Sequence, residues 1–137
     1  TEPLKLPNDL CVINFRGGEY ATVPELFLSQ EYWNKAVIKM KTEQIKRHQY
    51  THFEVHTDDF GLAKQFFPDL KIIQDIAINW RSIRYAKHLI LANSAFGILP
   101  ALLNENVKEV IAPRYWAGRN VGEWRRPQNY YSKFQYI

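Results

Sequence analysis

Apolar positions along the 137-residue chain follow two periods, and the segments in which they do so alternate. Cys11 to Phe15 is an apolar run broken only by Asn14 and closed by Arg16-Gly17-Gly18. A run so short, β-branched and aromatic, predicts a buried strand over about Leu10 to Phe15. After a loop through Pro24, Trp33, Ala36, Val37 and Met40 recur at helical spacing among lysines. They predict a helix from Ser29, a good cap, to His48. Thr51 to Thr57 alternates as a strand does and ends at Asp58-Asp59; a short helix then reaches Phe67, before Pro68. Lys71 to Gln74 reads as strand, Ile76 to Ala86 as helix and His88 to Ala92 as strand. Asn93-Ser94 opens an apolar helix to about Asn104, and Glu109 to Ala112 is a fifth strand, closed by Pro113. The first nine residues, with Pro3 and Pro7, read as an extended lead-in, and the tail carries no evident element.

Five strands alternating with helices predict an α/β fold, a Rossmann-like parallel sheet with helices on both faces. In the common order 3-2-1-4-5, strands one and four are neighbours where the winding reverses, and ligands bind at the strand ends there. Arg16-Gly17-Gly18 and Asn93-Ser94 would then share one crevice. An arginine at a strand mouth can grip paired anionic oxygens, or can be a solvated turn residue. Asn93 and Ser94 offer an amide, a hydroxyl and backbone N–H groups at a helix start, which by themselves read first as a plain cap and, paired with Arg16 across the crevice, as a phosphate site. Asp58 and Asp59, at the end of strand two, read as ligands for ribose hydroxyls or base N–H groups, or as a helix cap.

Length and composition narrow these choices. The chain is one domain of ordinary globular composition, read here as residues 10–137 behind the lead-in. No apolar run approaches the roughly 20 residues of a membrane span. With Thr1 first, the sequence reads as a trimmed chain or a piece of a longer one. Cys11 is the single cysteine, which excludes an intrachain disulfide and a four-cysteine zinc site. His48, His52, His56 and His88 are scattered; His52 and His56 share a strand face but lack a third ligand. Gly-x-Gly-x-x-Gly and the P-loop are missing, against NAD and ATP sites. The net charge of +4 lies entirely in the tail, where five basic residues (Arg114, Arg119, Arg125, Arg126, Lys133) face Glu123 alone. Such a tail could meet phosphate, anionic lipid or an acidic domain. Its aromatics (Tyr130, Tyr131, Phe134, Tyr136) could stack nucleic-acid bases, but packing on the sheet is the better account.

Three motifs carry a resemblance. Asn14 to Tyr20 (Asn-Phe-Arg-Gly-Gly-Glu-Tyr) resembles the His-x-Arg-Arg-Gly-Asp-Tyr motif of the α-1,2-fucosyltransferases, glycosyltransferase family 11. Thr57-Asp58-Asp59 is similar to their Ser-Asp-Asp. Lys87 to Asn104 resembles their Lys-His-x-Ile-x-x-Asn-Ser-Thr-Phe-Ser-Trp-Trp-x-Ala-x-Leu-Asn, and Val110 to Pro113 with Trp116 continues the match. The resemblance implies the C-terminal, donor-binding half of a GT-B enzyme that takes GDP-fucose and inverts its anomeric centre without a metal or other cofactor. It implies Arg16 and Glu19 as catalytic residues, with Arg16 stabilising the departing diphosphate. It also implies Asn14, Arg16, Gly17, Asp58, Asp59, Asn93, Ser94 and Phe96 as donor-binding residues. A glycan acceptor and an upstream acceptor-binding domain would be the partners, nucleic acid would not. The setting would be cytoplasmic or membrane-peripheral, or the Golgi lumen for a eukaryotic parent. The departures are Asn14 for histidine, Gly17 for the second arginine, Glu19 for aspartate and Gly97-Ile98-Leu99 for Ser-Trp-Trp. They leave open a non-catalytic binding module that has kept the fold.

Overall fold

A computed structural model of the protein describes residues 6–18, 22, 27–113 and 134–137. The described elements are β1 (Leu10–Phe15), α1 (Gln30–Lys46), β2 (His52–Thr57), α2 (Phe60–Phe66) and β3 (Lys71–Ile73). They continue with α3 (Ile76–Tyr85), β4 (His88–Ile90), α4 (Ala95–Leu103), β5 (Glu109–Ala112) and β6 (Gln135–Tyr136). The strands form one sheet in the order β3-β2-β1-β4-β5-β6. Every neighbouring pair is parallel. This is the expected Rossmann-like order with β1 and β4 side by side at its centre. It carries one strand more than the residue pattern predicts. β6 is two residues long and exists through its pairing with Ile111 and Ala112 on β5, which no local pattern announces. No helix among the described residues is long and apolar enough to cross a membrane.

Alternation along β1 divides the core in two. Cys11, Ile13 and Phe15 face α1 and α2, where they join Trp33, Met40, Ala63 and Phe67. Leu10 and Val12 face the other way, toward Ile83 of α3 and Ala101 of α4. A central parallel strand buried on both sides has to be apolar almost throughout. Asn14 breaks that rule on the α3–α4 side, and Glu54 and His56 break it on β2. The polar positions of the two strands therefore fall on one face, toward one end. Phe15 is the hub of the opposite core, with the rings of Phe27, Trp33, Phe66 and Phe67 at 5.0–6.3 Å from its own.

Each helix begins with a side-chain cap that answers an otherwise orphaned N–H. The caps are Ser29 on Tyr32, Asp59 on Leu62, Asp75 on Ile78 and Ser94 on Phe96. Since each helix follows a parallel strand, all four positive helix ends lie along the rim where the strands finish. α1 stops two residues before the expected His48, which takes a left-handed backbone (φ 60°) that ends the helix. Asn104 closes α4: its amide donates to Ile83 O and Ala86 O (2.9 and 2.7 Å) and its Oδ1 accepts from Asn106 N. Phe134, from the tail, is buried in the α3–α4 core with Tyr136 against it, while residues 114–133, including the five basic residues and Trp116, lie outside the described residues.

At the opposite rim a polar network crosses the sheet. Gln44 Nε2 lies 3.3 Å from His88 Nδ1 and donates to Glu109 Oε2 (3.2 Å), and Glu109 pairs with Arg47. Burial pushes the His88 pKa below the ordinary histidine value, with the Glu109 carboxylate opposing that shift. Below about pH 6.5 the unfolded chain therefore takes up a proton that the folded chain resists, and stability falls with acidification. We expect His88→Gln to flatten part of that decline in thermal melts followed from neutral to mildly acidic pH. Parallel curves for variant and wild type would exclude His88 as the responsible group.

Candidate functional site

The ends of β1 and β4 are neighbours, since Ile13 pairs with Ile90, so the turns that follow them share a rim. Arg16 leaves β1 and lays its guanidinium over the Phe96 ring, 5.5 Å from the centroid, in the first turn of α4. Its Nε lies 3.4 Å from Asp58 Oδ2 beyond β2. The cation thus bridges the switch point. Asn14 is 1 % exposed, and its Nδ2 has no hydrogen-bond partner among the described residues. That amide rests on α4, for a Cβ at Gly97 would overlap Asn14 Nδ2. The side chain of Asn14 and the glycine in α4 are one fitted pair.

The two turn glycines have an equally local cause. Asp58 Oδ1 accepts from Gly17 N (2.8 Å) and Asp59 Oδ2 accepts from Gly18 N (3.1 Å). The turn is drawn flush onto the end of β2. A Cβ at Gly17 would stand 2.9 Å from Leu62 Cδ2 and 3.0 Å from Asp59 Cβ. Gly18 has φ +50°, which L side chains rarely adopt. There is consequently no room for a side chain where the resembled family carries its second arginine. Gly17→Ala is expected to lower stability by about 1–3 kcal/mol through overpacking, measured by urea unfolding. A change near zero would show that the turn can lift off Asp59 freely.

Between these turns and the start of α3 lies a cleft of about 300 Å³, small for a ligand pocket but within the usual range. Of the expected binding residues, Asn14, Arg16, Asp58 and Phe96 line it. Gly17, Asp59, Asn93 and Ser94 are not among its lining. Asp59 is occupied by Gly18 N and by the cap of α2, and Asn93 and Ser94 are buried, with Ser94 Oγ accepting from Phe96 N (3.2 Å). Glu19 lies outside the described residues.

The far wall comes from residues that the sequence pattern did not single out for binding: Thr57, Gln74, Asp75, Ile76 and Asn79. Gln74 Oε1 accepts from Phe60 N (2.8 Å), and Asp75 caps α3. The only local signal there was the Asp75-Ile76 cap, which says nothing of a cleft. The lining carries both signs of charge. Arg16 and the Asn14 amide bring a cation and N–H donors, whereas Asp75 on the far wall and Asp58, paired with Arg16, bring carboxylates. Such a cleft suits a ligand with an anionic group at one end and N–H or O–H donors at the other. Of the histidines on β2, His52 is exposed against Asp9 (2.7 Å) and His56 is wholly buried. Among the described residues no three His, Cys, Asp or Glu side chains are grouped as a metal site would need. In comparisons with known proteins, the chain matches no family model, no curated protein and no solved structure.

Proposed function

We propose that residues 10–137 are the nucleotide-sugar-binding half of a GT-B-type, inverting transferase that takes GDP-fucose and passes fucose to a glycan hydroxyl. The observation that carries the reading is the convergence of Arg16 and the first turn of α4 on one cleft at the strand-order reversal, confronted by carboxylates. In this reading the diphosphate lies against Arg16, the Asn14 amide and the α4 N-terminus, where guanidinium and helix dipole add. Asp58 and Asp75 meet the donor groups of ribose and base. As the sugar leaves, negative charge grows on the β-phosphate, and a guanidinium held in place stabilises that charge more than the ground state. The glycan would approach from an acceptor-binding domain elsewhere in a longer parent, so transfer is not expected of this chain alone.

Calorimetry with GDP in EDTA tests the reading. Weak binding is expected, weaker still for GMP, which lacks the β-phosphate. No heat from a folded chain with either nucleotide would remove the basis of the proposal. A second reading, a binding module without transfer chemistry, is supported by Asn14 packed onto Gly97 and by the closed space at Gly17. It leaves nucleotide binding in place but not turnover, so GDP-fucose hydrolysis or transfer by the intact parent separates the two.

A further inference from the structure

His56 is fully buried on the β2 face toward α3, where its neighbours in register are Asn14 on β1 and Ile73 on β3, neither of which titrates. Both ring nitrogens meet acceptors. Asn79 Nδ2 donates to Thr57 O (2.9 Å), which fixes the amide so that its Oδ1 points at His56 Nδ1 (3.0 Å). Nε2 lies 2.7 Å from Glu54 Oε1, and the other oxygen of Glu54 lies 3.7 Å from Lys71 Nζ. A carbonyl oxygen cannot donate, so the His56–Asn79 contact requires a proton on Nδ1, and the contact of Nε2 with Glu54 requires a second, on the ring or on the carboxyl. A polar group this deep is tolerated only when satisfied, and here its partner is a lining residue of the cleft.

We infer that His56 is a positioning residue for the ligand cleft: its Nδ1–H orients the Asn79 amide, which holds the end of β2 from which Asp58 reaches the Arg16 turn. The inference rests on the nucleotide reading above for its affinity test, and on geometry alone for its spectroscopic one. The relay is short. His56 sets Asn79, Asn79 sets the Thr57 carbonyl, and the next residue, Asp58, clamps Gly17 and Arg16. Glu54, with Lys71 beside it, holds the far side of the ring and keeps the imidazole from turning.

Two isosteric variants divide the ring's contacts. His56→Asn keeps a donor near the Nδ1 position, and His56→Gln keeps one near Nε2. GDP affinity is expected within about twofold of wild type for His56→Asn and about three- to tenfold weaker for His56→Gln. A structural role alone predicts affinities that follow the two melting temperatures instead. Equal binding by both variants, or weaker binding by His56→Asn, would overturn the inference. In parallel, histidine ring nitrogens are observed by NMR in the wild-type chain, with His56 assigned by its loss in His56→Asn. A protonated Nδ1 at neutral pH supports the inference, and a bare Nδ1 overturns it. A wild-type chain that binds no GDP ends the nucleotide reading, while the ring spectrum still decides what His56 holds.

Discussion

Arg16→Ala is expected to lower the affinity for GDP by about 10- to 100-fold and to leave the melting temperature nearly unchanged. The split follows from what the guanidinium does in each state. In the free chain its pairing with Asp58 is part-exposed (22 and 32 %), a setting in which ion pairs stabilise little. Its place over Phe96 adds about 0.5–1 kcal/mol at such a site. Against the proposed diphosphate the same group would make charge-assisted hydrogen bonds, each worth about 1.5–3 kcal/mol. Arg16→Lys should fall between the two, keeping the charge and losing the planar fork. Calorimetry and thermal melts on the same samples read both halves of this expectation. Unchanged GDP affinity in Arg16→Ala would remove the guanidinium from the site.

Phe15→Ala has the largest expected effect on folding, a loss of about 3–5 kcal/mol. Its ring is fully buried against four others, and removing it opens a cavity that strands of a parallel sheet cannot close. Domains of this size have about 5–15 kcal/mol in total, so the variant would stand near its unfolding threshold. Phe15→Leu, which refills most of the space, should lose far less. Urea unfolding of the two variants measures the difference; a loss under about 1 kcal/mol for Phe15→Ala would contradict the central place given to this ring. The site feels the same change, because Phe15 is the residue from which Arg16 departs.

The fold was legible because its signals are local. Short apolar or alternating runs bounded by Gly, Pro and Asp marked five strands to within about two residues, and cap residues at Ser29, Asp59 and Ser94 marked three of the four helix starts. Parallel order followed from strand–helix alternation, and the meeting of the β1 and β4 turns followed from the order. What was not legible depends on contacts between distant positions. Nothing near Asp58 reveals that its carboxylate is taken up by Gly17 and Arg16, which lie about forty residues away in sequence. Asn14 and Gly97 explain each other only once β1 and α4 touch. The Gln74-Asp75 wall follows the edge strand β3, and only the strand order brings it to the cleft beside Arg16 and Asp58. β6 borrows its conformation from β5. Ser94 shows the limit of motif reasoning, since its hydroxyl is fully explained by capping α4.

The chain's only thiol belongs to Cys11, on the innermost strand, with no exposure and with its ionisation pushed up by burial and by Glu109. Sulfhydryl reagents require an accessible thiolate. Labelling of this protein is therefore a built-in clock for whole-sheet opening, silent to fraying of loops and edge strands. Any bound molecule that slows the clock reports, by that fact alone, preference for the closed sheet.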